Sequence, residues 1–126
     1  MTTTPAPAGS ASLSDILTAA QNIVRALNNA ADVYLSVNGK STLENITVPT
    51  IVKATAGRVA SVSIIVSGSS TGYLYDANNL TNTTAPLWII PETAQPNGEP
   101  YVVNMPTNTG LVCVPGTGQT VTVNWS

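Results

Sequence analysis

The chain has 126 residues, four of them basic and six acidic, for a net charge of −2; that length suits one small domain, and so few cations leave no basic patch to bind nucleic acid through its phosphates. Charged residues make up 8% of the chain, against roughly 25% in ordinary soluble proteins, so the polar surface falls to Thr, Ser, Asn and Gln, which suits a molecule packed against copies of itself or within a larger assembly. Histidine is absent and cysteine occurs once, which removes the commonest general base, any Ser-His-Asp or Cys-His arrangement, an intrachain disulfide and thiolate or imidazole metal sites.

Residues 1–11 open the chain within "MTTTPAPAGSAS", which has almost nothing to bury and reads as a flexible arm that a partner would order. It lacks the basic region and apolar core of a secretory signal, and no apolar stretch in the chain approaches the ~20 residues of a membrane span. Synthesis in a cytosol, without export by that route and without a membrane partner, is the expectation. The Asn-x-Thr/Ser triplets at Asn45, Asn79, Asn82 and Asn124 then follow from an Asn- and Thr-rich composition, not from glycosylation.

Residues 12–39 read as a helix. Ser12 is placed to cap it, with Asp15 three residues on where a capping box carries Glu or Gln, and Gly39 is placed to stop it. Leu13, Ile16, Ala20, Ile23, Leu27, Ala30, Tyr34 and Val37 alternate in steps of three and four, assigning Leu13, Ala20, Leu27 and Tyr34 to heptad position a and the others to d. Leu17, Val24, Ala31, Ala19, Ala26 and Val33 widen the stripe at e and g, and Leu at a with Ile at d shifts preference toward trimers or tetramers. The same spacing also describes an amphipathic helix lying on its own domain's sheet. Val33, Leu35 and Val37 alternate before Asn38-Gly39, a pattern that a strand and hairpin turn would also produce.

Residues 40–126 change texture. "ENITVPTIVKA", "GRVASVSIIVSG", "GYLYDA", "APLWIIP", "PYVVNMP", "GLVCVPG" and "GQTVTVNWS" are short runs rich in β-branched and aromatic residues, bounded by Gly, Pro or Asn, and they predict an antiparallel β-sandwich or small barrel. Pro49 places the first run at an edge or bulge. "SIIVSG" and "LWIIP" are apolar on both faces, implying cover from a second sheet or a neighbouring subunit. Residues 77–86 and 92–100 are loops, the expected places for variation or contact.

No chemical motif emerges. The acids Asp15, Asp32, Glu44, Asp76, Glu92 and Glu99 form no paired signature, and "GSSTG" and "PGTGQT" lack a phosphate-loop lysine and read as turns. No catalytic, metal or cofactor site is expected. Cys113 alternates with valines and reads as a buried structural thiol. Tyr73, Tyr75, Trp88, Tyr101 and Trp125 could form a sugar-binding aromatic platform, but in a chain without Phe these rings must also fill the core, and packing is the preferred reading. Lys53, Arg58 and Asp76 are candidates for a charge pair between elements or between subunits.

The run "VPTIVKATAGRVASVSIIVSGSSTGYLYDANN", then "IIP" and "GLVCVPGTGQTVTVNWS", resembles the β domain of small virion proteins of tailed bacteriophages, often trimeric head decoration, cement or head-fibre proteins. A preceding heptad-like helix ending in "NG" is similar to that group too. The resemblance implies a homotrimer on the capsid surface of a virion, bound to the major capsid protein or another virion protein. In that setting Thr2, Thr3, Thr4, Pro5 and Pro7 of the arm are candidate capsid contacts. Related modules occur in tail fibres and baseplates, so a receptor-binding module touching host glycans is the alternative.

Overall fold

The computed structural model describes residues 12–126. They divide into two compact units, one ending at Val33 and one spanning Tyr34–Ser126. Helix α1 covers Leu13–Asn38, and eight strands follow: β1 Ser41–Ile46, β2 Thr50–Lys53, β3 Gly57–Val66, β4 Gly72–Tyr75, β5 Pro86–Ile90, β6 Tyr101–Thr107, β7 Leu111–Val114 and β8 Thr120–Trp125.

The strands form two four-stranded sheets, ordered β1-β8-β3-β6 and β2-β7-β4-β5, with every pairing antiparallel. Only β4 and β5 are both consecutive and paired; every other link moves the chain from one sheet to the other. The expected seven runs become eight strands because the first run is cut. Pro49 lacks the N–H that a ladder needs, so β1 ends before it in one sheet and β2 begins after it in the other, each at an edge.

The core lies where the inward faces meet. Ile46, Val59, Val62, Ile64, Val121 and Val123 from the first sheet join Val52, Leu74, Ile90, Leu111 and Cys113 from the second. Strand β8 shows the period-two pattern that put them there: Val121 and Val123 are fully buried, while Thr120, Thr122 and Asn124 lie on the other face. Each fully buried Val, Leu or Ile contributes ~1.5–3 kcal/mol.

The helix forms with the expected cap. The Asp15 N–H donates to Ser12 Oγ at 3.1 Å, and Asp15 Oδ2 accepts from the Ser12 N–H at 3.4 Å. At the other end Gly39 sits at φ +94° and donates its N–H to Leu35 O at 2.8 Å, the left-handed stop that glycine makes without steric cost. The alternative of a strand over residues 33–37 is thereby replaced by helix.

The last turn of α1, part of the second unit, is tied to the end of β8. Asn124 Nδ2 donates to Asn38 O at 2.7 Å, Ser126 Oγ donates to Ser36 O at 3.1 Å, and the Lys40 N–H donates to Trp125 O at 2.8 Å. The first two satisfy carbonyls that a helix end otherwise leaves open. A Cβ on Gly39 would overlap the Asn124 amide. Gly39→Ala is expected to destabilise the fold by about 1–2 kcal/mol from the left-handed backbone alone, with more from displacing Asn124, measured as a lower urea midpoint.

Candidate functional site

The heptad residues keep their stripe exposed within the single chain. Leu13, Ile16, Ile23 and Leu27 are 85, 55, 61 and 64% exposed, and Leu17, Val24 and Val33 beside them are exposed as well. No residue of α1 is buried. Large apolar side chains at i, i+3, i+4 and i+7 in contact with water make this an extended unsatisfied apolar stripe among the described residues.

A second exposed feature lies in the Tyr34–Ser126 unit. A groove of about 230 Å³ opens beside the last helical turn, lined by Val37, Asn38, Ala60, Ser61, Val102 and Asn104. Strand β6 supplies Val102 because Tyr101, Val103 and Met105 pack against the core while Val102 points the other way. The register slips between Val59 and Ser61, and Asn104 adopts φ +54°, a bulge that bends the strand. Sequence reading missed this because Val102 and Val103 are the same residue, and only pairing register tells their faces apart.

Within the single chain Lys53, Arg58 and Asp76 each engage main-chain groups. Lys53 Nζ donates to Ser126 O at 3.0 Å and lies 5.4 Å from the centre of the Trp125 ring, a cation–π distance. Arg58 braces the bulge, with Nη2 donating to Asn104 O at 2.8 Å and Nε to Asn104 Oδ1 at 3.3 Å. Asp76 accepts from the N–H groups of Asn108, Thr109 and Gly110 at 2.9, 2.8 and 3.3 Å. Backbone groups in a loop cannot move away as a second flexible side chain can, so they are the better partners. Burial raises the Asp76 pKa, but the three backbone donors outweigh it and hold the carboxyl below its ordinary value.

The five aromatic residues do not form one platform. Trp88 and Tyr101 meet at 5.8 Å between ring centres and pack against the core with Trp125, and Tyr101 donates its hydroxyl to Thr93 O at 3.0 Å. Packing thus accounts for those three. Tyr73 and Tyr75 flank the buried Leu74 and therefore lie on the outward face, their centres 5.9 Å apart. "LWIIP" likewise has a covered and an open side, with Ile90 buried and Ile89 exposed.

The two glycine-rich turns are joined to each other. Thr117 N–H donates to Ser70 Oγ at 2.9 Å and Ser69 N–H to Thr117 O at 2.9 Å. Beneath them the buried Gln119 donates Nε2 to Pro91 O at 2.7 Å and accepts from the Gly116 N–H at 3.0 Å. A buried amide with donor and acceptor both satisfied ties its own turn to the loop that begins at Pro91. Cys113 is fully buried and its thiol is pushed up to about 12 by desolvation, so it stays protonated and unreactive at neutral pH.

Among the described residues no group of three or more His, Cys, Asp or Glu is placed to hold a metal ion, and no helix there is long and apolar enough to cross a membrane. The arm candidates Thr2, Thr3, Thr4, Pro5 and Pro7 lie outside the described residues. Comparison with protein-family models, curated proteins and solved structures finds no match.

Asp76→Asn is expected to cost about 1 kcal/mol at neutral pH, the value of a charge-assisted hydrogen bond reduced for solvent exposure. The folded pKa lies below the unfolded one, so this stability is present above the unfolded value and is lost as pH falls through the folded value. Urea titrations should therefore show the wild-type advantage at pH 7 shrinking on strong acidification.

Proposed function

We propose that the chain is a virion structural protein of the tailed-phage kind, a homotrimeric head decoration, cement or head-fibre component that attaches to the capsid surface and stabilises or ornaments it. The exposed heptad stripe of α1 carries this reading. An isolated helix in water is marginal without a partner for its apolar face. Fully burying a Leu or Ile contributes ~1.5–3 kcal/mol, so sharing the stripe among three copies outweighs the entropy lost on ordering them. The Leu-at-a, Ile-at-d pattern and the broad flank at e and g favour three chains over two.

In this reading the β domain is the presented body and the work is mechanical, without catalysis or a cofactor. The arm, with Thr2, Thr3, Thr4, Pro5 and Pro7, supplies contacts to the major capsid protein or another virion protein. Three arms tethered in one trimer rebind at high effective concentration, so weak single contacts give durable attachment. The sparse charge and the resemblance of the strand sequences to phage β domains support the same conclusion. Ile23→Asp combined with Leu27→Asp should convert a trimer to monomers or aggregates in sedimentation velocity; a trimer that survives both changes would count against the helical seam.

A second reading, a tail-fibre or baseplate module binding host glycans, is favoured by the outward Tyr73–Tyr75 pair. Aromatic faces stack on the apolar faces of sugars. A glycan array probed with the purified protein separates the two: specific binding that disappears in Tyr73→Ala would support the receptor reading, and the decoration reading expects none.

A further inference from the structure

We propose that Asn97 is a site of spontaneous covalent modification, where the side-chain amide is lost through a cyclic imide formed with the main-chain nitrogen of Gly98. The proposal does not depend on the assembly reading above. The chain holds two Asn-Gly pairs, Asn38-Gly39 and Asn97-Gly98. Glycine has no Cβ to obstruct the approach of its nitrogen to the preceding side chain, so both pairs are open to this chemistry in an unfolded chain. The fold separates them.

Asn38 is restrained at each group that must move. The Gly39 N–H, which would supply the attacking nitrogen, donates to Leu35 O at 2.8 Å. Asn38 Nδ2, the leaving amine, donates to Tyr34 O at 2.9 Å, and Asn38 O accepts from Asn124 Nδ2 at 2.7 Å. The space over Gly39 is filled by the same Asn124 amide. Closing a ring there breaks the helix stop and its link to β8 together.

Asn97 stands in the short Pro96–Gly98 turn, and residues 96–100 are all exposed. Its side chain has no hydrogen-bond partner among the described residues. The Gly98 N–H donates to Gln95 O at 3.2 Å, and the next bond, from the Glu99 N–H to Pro96 O, stretches to 3.5 Å, so little holds the turn shut. Asn97 sits at φ +62°, ψ 16°, a region that residues with a Cβ populate sparsely, and rotation out of it gives up little. A Cβ built on Gly98 meets nothing within 4 Å, which leaves room for the ring.

The step balances with water alone. Base removes the Gly98 N–H proton, the nitrogen attacks Asn97 Cγ, and the bond from Cγ to Nδ2 breaks as ammonia leaves with a proton from water. Water then opens the ring at either carbonyl, giving aspartate, or isoaspartate with the chain routed through the side chain. One water is consumed and one ammonia released. A neutral amide becomes a carboxylate two residues from Glu99, in a segment between β5 and β6 that belongs to neither sheet. The charge of this surface therefore changes with the age of the molecule while the sheets stand.

The test incubates the full-length protein in warm, mildly alkaline buffer, with and without denaturing urea, and follows both sites by mass spectrometry. Cleavage after Glu92 and Glu99 isolates Asn97 as the one asparagine of its peptide, and cleavage after Arg25 and Lys40 yields the peptide that carries Asn38. In the folded protein Asn97 should exchange NH2 for OH about a hundredfold faster than Asn38, the scale of losing a reactive alignment, and isoaspartate should accompany aspartate. In urea the two rates should converge. Equal rates in the folded protein overturn the proposal, as does a folded Asn97 that stays intact while the unfolded chain reacts. A product that is aspartate alone also overturns it, because direct hydrolysis bypasses the ring.

Discussion

The hydrogen bonds between the end of β8 and the last turn of α1 are the constraint on which the Tyr34–Ser126 unit depends. Asn124, Trp125 and Ser126 receive that turn through one main-chain and two side-chain contacts. The same strand is central in its sheet, paired to β1 on one side and β3 on the other, and it drives Val121 and Val123 into the core. One six-residue segment therefore joins hydrophobic burial, sheet order and helix termination. Each of these supports the others, because Asn124 can reach Asn38 only while Val123 holds the strand in register.

Polar side chains in this protein act mainly on the backbone. Asp76 gathers three N–H groups, Arg58 braces a bulge, Gln119 ties loops together and Lys53 reaches a carbonyl. Charged residues are scarce, and Lys53, Arg58 and Asp76 are each engaged with main-chain groups. A surface of Thr, Ser and Asn around a rigid frame tolerates close packing better than one carrying many like charges.

Much of this was legible in the sequence for reasons of period. The heptad repeat from Leu13 to Val37, the Ser12 and Asp15 cap and the Gly39 stop each have a local cause, and the helix appears where they place it. The strands, too, were visible as short β-branched runs between turn residues, though Pro49 was read as a flaw in one strand when it marks the passage between two. Strand order was not legible, because pairing such as β1 with β8 joins residues about eighty positions apart in the register, and nothing local encodes it. Nor were the partners of Lys53, Arg58 and Asp76: a charge advertises opposite charge in sequence, whereas backbone acceptors and donors are everywhere and leave no mark. The groove needed the bulge at Asn104 to exist, and an asparagine among strand residues is only a weak sign of one.

The sheet-to-sheet weave carries a consequence for biosynthesis. Because β8 lies between β1 and β3, the first sheet has a gap in its middle until residues 120–125 have left the ribosome. Chains that stall earlier cannot complete the module, and the helical turn at Asn38 has nothing to dock on. A truncated product therefore lacks both the strand that parts β1 from β3 and the groups that bond to the last turn of the helix.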